Sequence, residues 1–111
     1  DVALAEGARR LVETAVERYG GVDILVNSQG IQRYGTVEET DEALWDEVMN
    51  VNVKSMYLTT RAAIPHMRRR GGGAIVNVAS RSGMVGIPYA VAYAASKAAV
   101  INHTRSVALY C

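Results

Sequence analysis

The sequence predicts an α/β domain, part of a doubly wound parallel sheet, in the order helix, strand, helix, strand, helix. Two observations lead to this prediction. Amphipathic segments with helical spacing alternate with short apolar runs, a pattern that favours parallel strands, right-handed crossovers and helices on both faces of the sheet. Each apolar run also ends in a polar turn. In such sheets the ligand crevice lies beyond the carboxyl ends of the strands, so these turns are candidate site loops.

The first half of the chain contains one predicted helix and one predicted strand. Across residues 4–19, apolar side chains recur at helical intervals between charged ones, and Gly20-Gly21 ends the pattern. The run from Val22 to Val26 is interpreted as a buried parallel strand. Asn27-Ser28-Gln29-Gly30 follows it with the turn chemistry expected at a strand end.

The second helix is predicted to begin at Thr40 or Asp41, since either side chain can cap a helix. Its apolar stripe consists of Leu44, Val48, Val51, Met56, Leu58 and Ala62. Pro65 should bend or end this helix, because proline lacks the amide hydrogen that the helix needs. Arg68-Arg69-Arg70, followed by three glycines, is interpreted as a solvated helix exit.

The last two elements are a strand and a long helix. Ala74 to Ala79 contains the apolar run of the second strand, and helical spacing then extends from near Ala90 to the end. The chain has 111 residues, which is enough for one domain and too few for two.

Composition and charge exclude several classes of function. Twelve basic and eleven acidic residues give a net charge of +1, so no nucleic-acid partner is expected. No segment has the length or pattern of a membrane span or signal peptide, which predicts a soluble cytoplasmic protein without a membrane partner. Cys111 is the only cysteine, and His66 and His103 lack ligand-like spacing, so no metal site is predicted.

The segment from Ser80 to Lys97 contains the clearest chemical pattern. Tyr93 and Lys97 lie four residues apart at the start of a predicted helix, which places the phenol and the ammonium on one face. A free tyrosine has a pKa of about 10, and a neighbouring cation lowers it. The pair is therefore interpreted as a proton donor or acceptor. Taken alone, Ser80 is also typical of an ordinary turn, and Lys97 is also typical of a solvated helix surface.

Asn52 is the polar residue in the second helix that is hardest to explain structurally. Asparagine is a poor residue for a helix interior, and the apolar neighbours Val48, Val51 and Met56 predict that Asn52 is partly buried. A buried amide needs hydrogen-bond partners, which the sequence does not identify.

Together these residues resemble the short-chain dehydrogenase/reductase family over essentially the whole chain. Asn27-Ser28-Gln29-Gly30 is similar to the family's Asn-Asn-Ala-Gly turn, and Asp1-Val2 resembles the acidic pair that contacts the adenine ring. The family's catalytic tetrad is matched, in order, by Asn52, Ser80, Tyr93 and Lys97. A lone Tyr-x-x-x-Lys is weak evidence, whereas the full combination is specific.

The resemblance implies a Rossmann-like fold and an oxidoreductase that uses NAD or NADP to interconvert an alcohol and a carbonyl by hydride transfer. Ser80 would bind the substrate oxygen, and Tyr93 would contact the substrate as the acid/base. Lys97 would favour the phenolate and bind the nicotinamide ribose, while Asn52 would hold a water that relays protons. Cofactor contacts are implied for Asp1, Val2, Asn27, Gly30, Tyr93 and Lys97.

The chain departs from the family pattern in several places. It contains no Gly-x-x-x-Gly-x-Gly phosphate loop, so residues 1–111 are interpreted as one incomplete domain without the N-terminal cofactor loop and C-terminal substrate region. This segment alone is expected to be inactive. Gln29 replaces an alanine, and Ser55 stands where many members have glycine. With Arg81-Ser82, these polar residues suggest a polar substrate such as a sugar or sugar acid.

Two functions from different classes remain open on the sequence. One is a segment of a dehydrogenase or ketoreductase with a small alcohol or carbonyl substrate. The alternative is a truncated, non-catalytic paralogue or oligomerisation module that cannot bind the dinucleotide. The resemblance also implies a homo-oligomer formed through the helices that carry Asn52 and Tyr93. Exposed apolar area on those helices predicts partial folding, self-association or stabilisation by another chain for an isolated segment.

Overall fold

Helices cover one face of a two-stranded parallel sheet in the computed structural model, which describes residues 1–111. The regular elements are α1 (Ala5–Tyr19), β1 (Ile24–Asn27), α2 (Glu42–Met49), α3 (Ser55–Arg69), β2 (Ala74–Asn77) and α4 (Val91–Tyr110). A π-helical segment, Asn50–Lys54, joins α2 to α3, and a 3-10 turn, Arg81–Gly83, precedes α4. The predicted α/β order is confirmed.

The two strands are parallel, as the alternation of elements predicts. Ile24 pairs with Ala74 and Asn27 pairs with Asn77, so both strands leave the sheet at the same edge. β1 includes Asn27, which the sequence assigned to the turn, and β2 ends at Asn77, before the predicted end at Ala79. These differences are of the size expected at the ends of short strands.

Side chains alternate between the two faces of each strand. The helices lie against only one of these faces. The buried cluster on that face is formed by α1 and α3 and consists of Val12, Ala63 and Met67, with Leu25 and Ile75 packed against it. On the other face, Ile24 and Val26 are 66% and 57% exposed. The expectations of helices on both faces and of a buried first strand are therefore wrong for these residues. One crossover between neighbouring strands covers one face only.

α1 ends where the sequence predicts. Gly20 has a φ of 85°, a left-handed conformation that favours glycine, and its amide donates to the Val16 carbonyl at 2.8 Å. This turn directs the chain back toward the first strand.

The predicted second helix consists of α2, the π-helical segment and α3. Asp41, rather than Thr40, caps it, because the Leu44 amide donates to Asp41 Oδ1 at 2.8 Å. Pro65 does not end the helix, which continues to Arg69. Ala63 and Met67 lie on either side of Pro65 and are both buried, so core packing outweighs the local cost of the proline.

The ends of α3 and α4 lie near the start of β2. Arg68, Arg69 and Arg70, at the end of α3, are exposed, as predicted. Arg70 Nε forms an ion pair with Asp23 Oδ1 at 2.8 Å, and the Arg68 guanidinium lies 5.0 Å from the centre of the Tyr110 ring. None of the helices, α4 included, has both the length and the apolar character required to span a bilayer.

Candidate active site

The loops that follow β1 and β2 form the candidate site. Both leave the sheet at the same edge because the strands are parallel. Farther along, the loops are joined by a bridge between Gly35 and Ala90: the Gly35 amide donates to the Tyr89 carbonyl at 2.7 Å, and the Val91 amide donates to the Gly35 carbonyl at 3.3 Å. The loop after β1 is thereby attached to the start of α4.

Asn52 lies in the π-helical segment and is only 2% exposed, which confirms its predicted burial. Its Oδ1 accepts a hydrogen bond from the Ile31 amide at 2.7 Å. Its Nδ2 donates to the Ile31 carbonyl at 2.9 Å and to Ser96 Oγ at 3.0 Å. The amide is therefore held in one orientation between the loop after β1 and the first turns of α4. Short π-helical segments are frequent at functional sites.

Ser96 is a site residue that the sequence reasoning missed. It is completely buried, its hydroxyl oxygen accepts from Asn52, and its hydroxyl donates to the Tyr93 carbonyl at 2.7 Å. The available signal was a small polar residue directly before Lys97 within an apolar helix. Ser96 connects Asn52 to the helical turn that carries Tyr93.

Lys97 is 5% exposed, and its Nζ donates to the Val78 carbonyl at 3.1 Å. Nζ lies 5.8 Å from the centre of the Tyr93 ring, in agreement with the predicted shared face. A β-carbon added to Gly30 would lie 3.3 Å from this Nζ and 3.4 Å from Asn52 Oδ1. The backbone of Gly30 therefore lies close to both side chains.

Ser80 begins the 3-10 turn after β2. Its Oγ accepts a hydrogen bond from the Ser82 amide at 3.1 Å, which leaves the hydroxyl hydrogen free to donate. The turn packs directly on α4, because a β-carbon on Gly83 would lie 2.6 Å from the carbonyl carbon of Lys97. Gly83 is thus a second residue that the sequence reasoning missed, and it sets how closely the Ser80 turn approaches Lys97.

The side chain of Asn27 lies in the core beneath the sheet. Its Nδ2 donates to Asn77 Oδ1 at 2.8 Å and to Thr60 Oγ1 at 3.3 Å, and its Oδ1 accepts from Thr59 Oγ1 at 2.6 Å. These bonds connect β1 to β2 and α3. A cofactor contact by Asn27 stays a prediction, and the side-chain amide hydrogens are already used within the protein.

Asp1 and Val2 lie just before α1. Asp1 Oδ1 accepts from the Ala3 amide at 2.8 Å, and the Asp1 carbonyl lies against Gly7, where a β-carbon would clash with it. These contacts are local to α1. The adenine-binding role of this pair stays a prediction.

Gln29 and Ser55, two departures from the family pattern, contact each other. Gln29 Nε2 donates to Ser55 Oγ at 2.9 Å, and the Ser55 hydroxyl donates to the Val51 carbonyl. The Ser55 hydroxyl thus both accepts and donates a hydrogen bond within the protein. Arg81, which also suggested a polar substrate, is exposed, and its side chain makes no hydrogen bond within the protein.

Comparison with known proteins agrees with this architecture. The sequence profile of the short chain dehydrogenase family matches residues 1–110. The chain is 46% identical over 106 residues to an uncharacterized oxidoreductase of Thermotoga maritima, and 41% identical over 108 residues to 2-(S)-hydroxypropyl-CoM dehydrogenase 3 of Xanthobacter autotrophicus. These alignments cover 96% and 97% of this chain.

A solved structure of a candidate short-chain dehydrogenase/reductase from Burkholderia xenovorans superposes with a TM-score of 0.95 at 40% identity, over 99% of this chain. The chain spans 42% of the length of each of the two curated relatives and 44% of the solved chain. The similarity therefore covers nearly all of this sequence and less than half of each of these longer proteins.

Proposed function

The chain belongs to the short-chain dehydrogenase family, and from this premise we propose that the protein is an NAD- or NADP-dependent oxidoreductase that interconverts an alcohol and a carbonyl. The proposal rests chiefly on one observation: hydrogen bonds through Ser96 connect Asn52 to the helical turn that carries Tyr93 and Lys97. These residues come from two separate helices. An accidental match to a short motif does not require such a buried connection.

The residues present fit a dinucleotide at Lys97. A buried ammonium needs partners for its three donors, and the chain supplies one, the Val78 carbonyl. The remaining donors suit the ribose hydroxyls next to the nicotinamide, and Gly30 leaves room beside them because it has no side chain. When bound, the nicotinamide supplies or accepts the hydride.

Ser80 and Tyr93 provide the groups that would contact the substrate oxygen. The Ser80 hydroxyl retains a hydrogen to donate, and the Tyr93 hydroxyl makes no hydrogen bond within the chain. In the direction of reduction, Tyr93 would give its proton to the carbonyl oxygen, and in oxidation it would take that proton back.

In this proposal Asn52 acts mainly as a positioning residue. Its two amide hydrogens bond to Ile31 and Ser96, and its oxygen accepts from the Ile31 amide. One acceptor position on Oδ1 is left for the proposed water, since an amide oxygen has two lone pairs. Asn52 thereby fixes the loop that lies beside Lys97.

The experiment that tests this proposal compares Tyr93→Phe with Tyr89→Phe in the gene product that contains residues 1–111. Tyr89 is 59% exposed and lies just before α4, so it serves as the matched control. With NAD or NADP, the wild-type protein should oxidise or reduce at least one member of a panel of secondary alcohols, polyols, sugars and 3-oxoacyl thioesters.

In that panel, Tyr93→Phe should lower kcat/KM by a factor of about 10² or more, because the proton donor is lost. Its Tm should not change, and Tyr89→Phe should react like the wild-type protein. Equal rates for Tyr93→Phe and wild type would contradict the assignment. Reaction with apolar substrates alone would contradict the sugar hypothesis.

The second candidate, a non-catalytic assembly module, is favoured by the exposed apolar side chains on α3 and α4. Tyr57 is 43% exposed, Tyr110 is 69% exposed and Leu109 is 90% exposed. Titration with reduced dinucleotide, followed by its fluorescence, separates the two candidates, since the module should give no change. We also propose that these helices form a homo-oligomer, and a single monomeric species in sedimentation would contradict this.

A further inference from the structure

Gln29 and Ser55 lie 26 positions apart in the sequence, yet their side chains meet. Gln29 Nε2 lies 2.9 Å from Ser55 Oγ, and Ser55 is 1% exposed. The Ser55 hydroxyl hydrogen is directed to the Val51 carbonyl in the π-helical segment. The hydroxyl therefore accepts from the loop and donates to the helix, so that the loop after β1 is attached to the π-helical segment at this point.

A second attachment lies on the other side of Gly30. There the Ile31 amide and carbonyl bond to the side chain of Asn52 at 2.7 Å and 2.9 Å. Gly30 is thus flanked by two attachments to the same helical stretch, one to Ser55 and one to Asn52. Between them, its backbone lies beside Lys97 Nζ.

We propose that Gln29 and Ser55 act as a pair of positioning residues for dinucleotide binding, holding Gly30 at a fixed distance from Lys97. This inference rests on the proposed function. With both attachments in place, the ammonium and the backbone of Gly30 form a rigid surface before the dinucleotide arrives. Binding then requires less ordering of the loop, and preorganisation of this kind increases affinity. Neither side chain touches the reacting atoms in this proposal.

The two residues contribute unequally because their hydrogen bonds differ. Ser55→Ala leaves both the Gln29 amide and the Val51 carbonyl without the hydroxyl. Gln29→Ala leaves Ser55 bonded to Val51. Removal of one member of this partly buried pair should cost more than removal of both, because the remaining polar group loses its partner. The double variant Gln29→Ala with Ser55→Ala should therefore bind dinucleotide more tightly than the sum of the two single effects predicts.

The test is a double-mutant cycle in the gene product that contains residues 1–111, measured as the KM for NAD or NADP and as Kd by dinucleotide fluorescence. Ser55→Ala should raise both constants about tenfold and Gln29→Ala about threefold, in line with a loss of roughly one hydrogen bond. The double variant should stay within about threefold of wild type, because coupled residues do not add. kcat should stay within about twofold in each case.

Two controls match the substitutions. Gln32→Ala changes an exposed glutamine in the same loop, and Ser106→Ala removes an exposed helical serine whose hydroxyl also bonds to the carbonyl four residues earlier. Both should leave KM and Kd unchanged. A structural role alone would lower Tm in the single variants without changing KM relative to kcat, and that result would overturn the inference.

The remaining outcomes separate this inference from the proposed function. A wild-type protein that binds no dinucleotide contradicts the function and, with it, the role of the pair. Two other results overturn the role of the pair alone, provided that the wild-type protein binds dinucleotide. In one, the single variants bind dinucleotide as tightly as the wild type does. In the other, the effects of the two substitutions on Kd simply add in the double variant.

Discussion

Polar side chains form hydrogen bonds in two contrasting regions of this molecule, the surface of α1 and the junction around Asn52. On α1, Arg9 bonds to Glu6 and Glu13 at 2.7 Å each, and all three side chains are at least 42% exposed. At the junction, Asn52 bonds to Ile31 and Ser96 at similar distances of 2.7–3.0 Å, and it is 2% exposed. The bond lengths are alike, and the burial is opposite.

The difference shows that burial, rather than bond length, decides what a polar contact contributes. When an exposed partner is removed, water takes its place, so surface pairs stabilise little. When a buried partner is removed, the group that remains is left unpaired. The junction should therefore be sensitive to substitution in both stability and activity, whereas substitutions on α1 should change stability only slightly and activity not at all. The following substitutions test this contrast in the gene product that contains residues 1–111.

Gly83→Ala should have the largest effect. The new β-carbon would lie within 2.6–2.8 Å of backbone atoms of Lys97 and Ala98, which cannot move as a flexible side chain can. We expect a loss of about 3 kcal/mol in the free energy of unfolding, as in severe overpacking, and at least a tenfold loss of kcat/KM because Ser80 moves away from α4. Denaturant unfolding and steady-state kinetics measure the two effects.

Gly86 provides the control for this substitution, because an added β-carbon there meets nothing within 4 Å. Gly86→Ala should leave both stability and kinetics close to wild type. Similar losses in the two variants would mean that the loop tolerates no side chains, rather than that Gly83 makes a close contact.

Asn52→Ala should rank second. It removes the partner of the Ile31 amide, the Ile31 carbonyl and the Ser96 hydroxyl, which predicts a loss of about 2 kcal/mol in unfolding free energy. Dinucleotide affinity should also fall, because the loop beside Lys97 is released. Asn50→Ala, at an exposed position in the same π-helical segment, is the control. Equal stability of the two variants by chemical denaturation would show that the buried bonds of Asn52 contribute no more than an exposed side chain does.

Asn27→Ala should have a smaller effect, although Asn27 is also buried. Its partner Thr59 also bonds to the Ser55 and Met56 carbonyls. The main group left unpaired is Asn77 Oδ1, which is only partly buried. We expect a loss of about 1 kcal/mol in unfolding free energy with kcat unchanged. The neighbouring exposed residue supplies the control, Ser28→Ala. A loss of kcat in Asn27→Ala, with Tm preserved, would show that Asn27 contacts the cofactor or substrate.

Glu6→Gln on α1 should have the smallest effect. The hydrogen bond and charge of Arg9 hold the pKa of Glu6 below its usual value, so Glu6 contributes stability above its unfolded pKa of about 4.3. That contribution is lost as the pH falls through the lower, folded-state pKa. The Tm of the variant should be slightly below wild type near pH 7, and the two values should converge in acid. Glu17→Gln, an exposed residue on the same helix, should match wild type throughout.

Much of the fold followed from patterns local to each element. The helix at residues 4–19 ends at Gly20 because a left-handed turn requires a residue such as glycine. The parallel pairing of β1 and β2 followed from the helix between them. Helix continuation through Pro65 did not follow, because it depends on the packing of Met67 against α1. The π-helical segment was also not predicted, because the apolar stripe from Leu44 to Ala62 was interpreted as a single α-helix.

The candidate site was predictable residue by residue but not as a set of contacts. Tyr93 and Lys97 share a helix, so their spacing alone predicts their proximity. Ser96 and Gly83 were missed because a serine in a helix and a glycine in a turn are ordinary when the opposing element is unknown. Their importance lies in what they touch on the opposing element.

The sequence by itself determined the order of the elements, the shared face of Tyr93 and Lys97, and the burial of Asn52, because each of these depends on spacing within one element and on hydrophobicity. Only the tertiary structure decided that Asn52 bonds to Ser96, that Gln29 bonds to Ser55, and that Asn27 faces the core. These contacts join residues distant in sequence. They are fixed by how helices and strands pack, and a one-dimensional pattern does not contain that information.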